Sequence, residues 1–144
     1  MNRGPFRTPS TLSGVTAHIE SALAAAALSA AERRTVERFV AALDGELGED
    51  LRAVWLYGSR ARGERVQPDS DVDLMVIADG GHERYARRAM DLSAEAAYAE
   101  DESPFTYSVH VYDPGWLRGR REIESFFIAE VDRDKLVLAG SDLE

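Results

Sequence analysis

The chain has 144 residues, of which 44% are hydrophobic and 30% are charged, values typical of a globular protein with a core of its own. It has no cysteine, which excludes disulfides, thiolate metal sites and a cysteine nucleophile, and which suits the reducing cytoplasm where we expect the protein to work. The formal net charge of −9 argues against broad binding to DNA or RNA, and no apolar run approaches the roughly 20 residues that cross a bilayer.

The beginning of the chain offers little for a hydrophobic core. Residues 1–14 contain two prolines, two glycines and several serines and threonines, so we predict a loose N-terminal arm. The remainder, residues 15–144, is predicted to form a single domain. Its first stretch, Thr16 to Ala27, is compatible with a helix through Ile19, Leu23 and the alanines.

A helix start is recognisable at Ser29-Ala30-Ala31-Glu32, which has the pattern of a capping box. In this motif the serine oxygen accepts a bond from the N–H three residues on, and the glutamate accepts one from the serine N–H. The apolar residues that follow at helical spacing predict one buried stripe, formed by Val36, Phe39, Val40 and Leu43. The helix is predicted to expose Arg33, Arg34 and Glu37 and to end near Gly45 and Gly48.

Two strands are predicted on either side of a central polar stretch. Leu51 to Tyr57 alternates and ends at a glycine, and Val72 to Ala78 forms the second strand. In the second strand, Val72, Leu74 and Val76 lie on the face opposite Asp71 and Asp73. We therefore expect one face of this strand to contact the core and the other to form a functional site.

The two aspartates point to a metal. Side chains two apart on a strand project from the same face, so Asp71 and Asp73 are expected to lie side by side. Two carboxylates about 4 Å apart repel by roughly 4 kcal/mol at an effective dielectric of about 20, so both remain ionised only beside a cation. Mg²⁺ is usually held by one or two carboxylates plus substrate phosphates. The pair therefore predicts a site for Mg²⁺ or Mn²⁺ that a nucleotide completes.

The residues before the loop are suited to binding that nucleotide. Gly58 allows a tight turn, and Ser59 can start a short helix whose free N–H groups and hydroxyl form an anion site. Three arginines follow in an otherwise acidic chain. We expect Arg62 to face phosphate, whereas Arg60 and Arg65 are equally compatible with solvated surface.

The second half of the chain continues the alternation of helices and strands. Glu83 to Glu100 has a helical apolar face, and Phe105 to Tyr112 alternates as a third strand. Asp113 and Pro114 have the pattern of an N-cap followed by proline, opening a segment that Gly119 interrupts. A last helix is marked by Ile123, Phe126, Phe127 and Val131, and a short edge strand by Leu136 to Leu138. The order predicts an α+β (α/β-type) sandwich, a mixed sheet backed by helices.

The central residues resemble a known signature. Gly58-Ser59, Arg60-Ala61-Arg62-Gly63-Glu64 and Ser70-Asp71-Val72-Asp73-Leu74 resemble the motifs of the minimal nucleotidyltransferases, a branch of the polymerase-β-like superfamily. The resemblance is strong over residues 54–78 and weaker over about 28–140. It implies the polymerase-β-like catalytic fold, a nucleoside triphosphate held by Gly58, Ser59, Arg62 and Ser70, and a metal held by Asp71 and Asp73. The spacing between Ser59 and Asp71 is one residue longer than usual, and the extra residue falls in a loop.

One family feature has no counterpart. A third carboxylate usually lies on the strand beside the Asp-x-Asp strand and helps to deprotonate the attacking hydroxyl. Here the strand reads Thr106-Tyr107-Ser108-Val109-His110-Val111, and Ser108 or His110 stands in that place. A neutral imidazole, with an ordinary pKa of about 6.5, can accept a proton at physiological pH, so His110 is a candidate general base. The alternative is an ordinary strand histidine.

The resemblance implies a Mg²⁺-dependent nucleotidyltransferase that transfers a nucleoside monophosphate from ATP or another NTP to a hydroxyl. Stand-alone members often act as the antitoxin of a small helical HEPN-type toxin, in some cases by adenylylating a toxin tyrosine. A HEPN-type protein or a second subunit is thus the implied partner. Relatives with an extra domain modify aminoglycosides, a further alternative that the short chain disfavours. The competing hypothesis, which the missing acid favours, is a catalytically weak nucleotide-binding or partner-masking module.

Overall fold

The computed structural model describes residues 18–64 and 70–143. The predicted arm, residues 1–14, and Arg65 lie outside these ranges. Within these ranges the chain forms five α-helices: α1 (described over residues 18–22), α2 (Ala30–Leu47), α3 (Gly81–Ala99), α4 (Pro114–Glu122) and α5 (Phe126–Asp134). The helix expected over Thr16 to Ala27 ends early, because a 3-10 turn at Leu23–Ala25 follows α1 and Ala26 is extended. Gly119 does not interrupt α4, which runs through it.

The strands form one mixed sheet, as expected. They are β1 (Leu51–Tyr57), β2 (Val72–Ala78), β3 (Tyr107–Tyr112) and β4 (Leu136–Gly140), in the order β3-β2-β1-β4. β1 pairs antiparallel with both β2 and β4, whereas β2 and β3 run parallel. The fold is thus α+β, and the two strands that flank the central motif are neighbours in the middle of the sheet.

Helices cover both faces of the sheet. On one face the stripe of α2, formed by Val36, Phe39, Val40 and Leu43, is buried as predicted, together with residues of α1 and α3. On the other face α4 and α5 contribute a second cluster around Trp55, Met75 and Ile77. The expectation that the Asp73 face of β2 serves only as a site is therefore wrong, because that face is core beyond Asp73.

Two aromatic stretches differ from prediction. Phe105 is not in the third strand but in a 3-10 turn, Pro104–Thr106, where its side chain is 90% exposed. The last helix was expected to include Ile123, but Ile123 is the C-cap of α4, and α5 begins at Phe126 and buries Ile128 and Val131. Ile123, Phe126 and Phe127 are exposed.

The predicted capping box is present at the start of α2. The Glu32 N–H donates to Ser29 Oγ at 3.1 Å, and the Ser29 N–H donates to Glu32 Oε1 at 2.8 Å. Arg33, expected in solvent, is half-buried and donates to the carbonyls of Leu23 and Ala26 at 2.5 and 3.1 Å. It thereby holds the 3-10 turn against α2.

Arg60 is buried, although the sequence was equally compatible with a solvated surface position for this residue. Its side chain is 5% exposed and donates from Nη1 to Glu32 Oε1 at 2.8 Å. Its Nε and Nη2 donate to the hydroxyl and carbonyl of Ser70 at 3.1 and 3.0 Å. Burial alone would raise the pKa of Glu32, but the bonds from Arg60 and Ser29 and the charge of Arg60 together lower it. Arg60 thus joins α2 to both halves of the motif.

Helices α3 and α4 both end in Schellman motifs with an acid in the left-handed position. At the end of α4, the N–H groups of Glu124 and Ser125 donate to the carbonyls of Arg121 and Arg120 at 3.1 and 3.0 Å. Glu124 has φ +53, a region that L-residues rarely adopt. Asp101 has φ 57 at the corresponding position after α3.

Within the two described ranges, none of the helices combines the length and the hydrophobicity that crossing a membrane requires.

Replacing the strained acid should stabilise the protein. Glu124→Gly removes the side-chain clash of the left-handed conformation, so we expect the free energy of unfolding to rise by about 1 kcal/mol in urea titrations. The matched control is Glu95→Gly in the middle of α3, which should lower it by about 1 kcal/mol. Equal losses in both variants would contradict the strain.

Removing the buried guanidinium should have the opposite effect. Arg60→Leu leaves Glu32 without its main partner, so we expect the free energy of unfolding to fall by about 3 kcal/mol, whereas Arg62→Leu at the surface should change it far less. The folded-state pKa of Glu32 is lowered, so the stabilisation is present above its ordinary value of 4.5 and is lost as the pH falls through the folded value. Urea titrations at pH 7 and in acid should therefore show the gap between wild type and Arg60→Leu closing in acid.

Candidate active site

A glycine turn brings the first motif against the second. β1 ends at Tyr57, and Gly58 has φ +81. A Cβ at this position would lie 2.5 Å from Asp73 Oδ2, so the turn and the carboxylate can approach this closely only with glycine at position 58. The glycine at position 58 therefore has a steric reason, because the Gly58 turn packs directly against the Asp73 carboxylate.

The residues after Gly58 form a tight turn and not the short helix that was predicted. The N–H groups of Ala61 and Arg62 both donate to the Gly58 carbonyl, at 3.1 and 3.2 Å, and the Glu64 N–H donates to the Ser59 carbonyl at 3.2 Å. Gly63, with φ +74, ends the turn after one revolution. The first N–H groups of the turn, those of Ser59 and Arg60, are the candidates for contact with an anion.

Asp73 is the half-buried member of the aspartate pair. It lies opposite Tyr57 on β1 and beside Ser108 on β3. Burial, and after it the negative charge of Asp71, raise the pKa of Asp73, while the charges of His110 and Arg60 act in the opposite direction. The net rise means that ionising Asp73 costs more in the folded protein than in water, chiefly because the carboxylate is half-buried.

This donor set fits a divalent cation. Asp71 and Asp73 supply hard carboxylate oxygens, the type that Mg²⁺ prefers, and Gly58 keeps the space beside Asp73 free of a side chain. A cation beside the pair would offset the burial and the mutual repulsion of the two carboxylates. Among the residues that the structure describes, no group of three or more His, Cys, Asp or Glu side chains is arranged to hold a metal ion.

Asp71 comes just before β2 and is exposed. It lines a depression of about 250 Å³ together with Glu32, Arg60, Ser70, Ser103, Phe105 and Thr106. Ser70, predicted to contact the nucleotide, already accepts hydrogen bonds from Arg60 through its hydroxyl and its carbonyl. Its place in the structure is therefore to fix the backbone beside Asp71.

Both residues considered in place of the third acid lie on the strand next to Asp73. Ser108 is paired with Asp73 in register, and His110 is paired with Met75. The Ser108 hydroxyl lies 3.3 Å from His110 Nε2. The His110 ring is exposed and nearly parallel to that of Tyr112, at 6.4 Å between centroids. An imidazole thus stands at the open side of the aspartate pair.

Arg62 does not face an open anion site. Its guanidinium donates to Glu64 at 2.9 and 3.2 Å and to Asp134 of α5 at 3.3 Å. The predicted contact with phosphate therefore requires Arg62 to exchange these partners.

Sequence reasoning missed two residues that shape the site. Tyr57 lies beside Asp73, and burial followed by the charge of Asp73 raises the pKa of its hydroxyl. Its ring also meets Phe127 of α5 edge-on, at 5.8 Å between centroids. The antiparallel register of the two strands would have located Tyr57. The burial of Arg60 had no local signal, because its partner Glu32 is 28 residues away in the chain.

Part of the chain matches a known protein family. Residues 45–110 match the family model for "Polymerase beta, Nucleotidyltransferase". The matched range begins in the last turn of α2 and ends in β3 at His110, so it includes the Gly58 turn and both aspartates. A search of curated proteins found no match.

Two solved structures are similar in part. A crystal structure of a mutant form of the toxin-antitoxin MntA-HpeT is 20% identical, with 71% of this chain and 70% of that chain covered and a TM-score of 0.45. A crystal structure of a toxin-antitoxin with AMP-PNP is 22% identical, with 72% of each chain covered and a TM-score of 0.47.

The matched range carries the motifs in the order that the structure brings together, with the Gly58 turn against Asp73 and β3 beside it. Residues 45–110 of this chain are thus similar to the nucleotidyltransferases of the polymerase β family.

Proposed function

We propose that the protein is a Mg²⁺-dependent nucleotidyltransferase that transfers a nucleoside monophosphate from ATP or another NTP to a hydroxyl group. The observation that carries this proposal is the contact between the Gly58 turn and Asp73, next to Asp71. Two carboxylates close to a turn whose backbone N–H groups can bind phosphate support a site for a metal ion and a triphosphate.

Each motif residue has a role in this reaction. Asp71 and Asp73 hold the cation, which when bound neutralises charge on the phosphates. Ser59 and the N–H groups of its turn bind the triphosphate, and Arg62 adds a guanidinium once it leaves Asp134. Ser70, fixed by Arg60, holds the backbone that presents Asp71. The work of the protein is chiefly to position the reactants and to offset their charge.

His110 is the proposed general base. The acceptor oxygen attacks the α-phosphorus, the bond to pyrophosphate breaks, and the proton of the acceptor hydroxyl passes to the imidazole. The position of His110 on the strand beside Asp73, with Ser108 at 3.3 Å, supports this role.

The proposed acceptor is a protein, and the proposed setting is the cytoplasm. By the motif resemblance, the chain would act as the antitoxin of a HEPN-type toxin, or a second subunit would complete the site. The absence of cysteine suits a reducing compartment.

A second candidate is a nucleotide-binding or partner-masking module with little turnover. The observation in its favour is the register of β3, where Ser108 and not an acid stands beside Asp73. Both candidates bind a nucleotide with a metal, so turnover separates them.

Transfer of label from α-labelled ATP with Mg²⁺, to candidate partner protein and to small hydroxyl compounds, tests the enzyme. Asp71→Asn plus Asp73→Asn should reduce transfer by about 100-fold or more, because the phosphates lose their metal. His110→Gln should reduce it by about 100-fold if the imidazole takes the proton. Asp79→Asn, an acid paired with Arg52 away from the motif, is the control and should leave transfer unchanged. Mg²⁺-dependent ATP binding by wild type without transfer to any acceptor would favour the binding module.

Thermal unfolding tests the cation site without turnover. Asp73→Asn should raise the melting temperature in metal-free buffer, because it removes a half-buried charge that Asp71 repels. Mg²⁺ with a non-hydrolysable ATP analogue should raise the melting temperature of wild type and of Asp79→Asn, but not that of the double aspartate variant. An equal shift in all three proteins would place the cation elsewhere.

A further inference from the structure

Three apolar side chains at the junction of α4 and α5 are left out of both cores. Ile123, Phe126 and Phe127 are 68%, 89% and 43% exposed, while α5 buries Ile128 and Val131 against the sheet. We call the three exposed residues the apolar corner. Exposed Phe and Ile side chains so close together in the chain are typical of a contact surface.

The backbone of the apolar corner is fixed on both sides. The Schellman motif at the end of α4 holds Glu124 and Ser125 by hydrogen bonds to Arg121 and Arg120. On the other side, the Ala129 N–H donates to the Ser125 carbonyl at 3.0 Å and starts α5. The side chains are therefore presented by an ordered turn, which lowers the entropy lost when a partner binds.

The apolar corner borders the proposed active site. Phe127 meets the ring of Tyr57 edge-on, and Tyr57 lies opposite Asp73 across the β1–β2 pair. Opposite side chains on antiparallel strands are about 5 Å apart, so one aromatic layer separates the corner from the aspartate. A molecule bound at the corner would be within reach of the transferred group.

The charges around the apolar corner select its partner. Glu122, Glu124 and Glu130 are exposed in the segment that carries it, in a chain of net charge −9. The arginines of the same segment are engaged elsewhere: Arg121 and Arg133 pair with Asp132 and Asp134, and Arg120 lies over the ring of Trp116. The three glutamates repel nucleic acid, and they would repel the same corner of a second copy. They complement a protein surface that is apolar at its centre and carries Lys or Arg at its rim.

We propose that the apolar corner docks the protein acceptor, through an apolar face of that protein rimmed by basic side chains. That the docked protein is the acceptor rests on the proposed function, whereas the docking itself does not. Phe126 would be buried in the contact, and Glu122, Glu124 and Glu130 would pair with the basic rim.

Synthetic amphipathic peptides test this inference. One set has an apolar face and a Lys/Arg face, and a matched set has the same apolar residues with Glu/Asp; every peptide carries one serine and one tyrosine. Fluorescence anisotropy should show wild type binding the basic set at least about tenfold more tightly than the acidic set, less so at high salt. Ile123→Ser plus Phe126→Ser should weaken binding of the basic set by about tenfold or more.

The control is Met90→Ser plus Tyr98→Ser on α3, where the side chains are 62% and 66% exposed. This variant should bind like wild type, and circular dichroism should show both variants folded. Unchanged peptide binding by the corner variant would overturn the proposal, as would equal binding of the two sets. A wild-type dimer that dissociates only in the corner variant, seen by sedimentation, would assign the corner to a second copy and overturn it too.

Label transfer in the same samples separates this proposal from the enzymatic one. Binding that depends on the corner, without transfer to any peptide or protein, would support docking and count against the enzyme. Transfer to peptides that the corner variant performs as well as wild type would uphold the enzyme and refute the docking.

Discussion

The guanidinium of Arg60 bonds to Glu32 at the start of α2 and to Ser70 just before Asp71. Glu32 also accepts a hydrogen bond from the Ser29 N–H, so one carboxylate bonds both to the N-cap of α2 and to Arg60 in the Gly58 turn. The Gly58 turn, the loop end that carries Asp71 and the first turn of α2 are therefore fixed with respect to one another by a single buried cation. The placement of the aspartate pair depends on a side chain that is not itself aimed at a ligand.

The same region holds a charged group in a place that costs the folded protein some stability. Asp73 is half-buried, close to Asp71 and pressed against a glycine turn that has no side chain to cover it. An amide at position 73 would be less costly than a carboxylate that is half-buried beside Asp71. Under the proposed function, a cation beside Asp73 would offset that cost.

Sequence patterns correctly predicted the structural features that depend on residues close together in the chain. The bounds of β1 and β2 and the capping box at Ser29 follow from alternation and from a four-residue motif. Distant contacts decided the rest: Arg60 is buried because Glu32 meets it, and the second face of β2 is core because α4 and α5 cover it. The alternation of residues along a strand does not reveal that helices pack against its second face. The exposure of Phe126 depends on where α5 begins.

Helix α5 touches the motif at both of its ends. Near its start Phe127 contacts Tyr57, and at its last residue Asp134 accepts a bond from Arg62. An anion that takes Arg62 from Asp134 removes one of these two attachments and leaves the helix held by the other and by its apolar face. Suppose that a partner moves α5 and thereby changes the affinity of the protein for that anion. The anion then changes the affinity for the partner by the same factor, because the two binding free energies are linked. Under the proposed function, α5 thus connects an anion bound at the Gly58 turn to the outer surface of the protein.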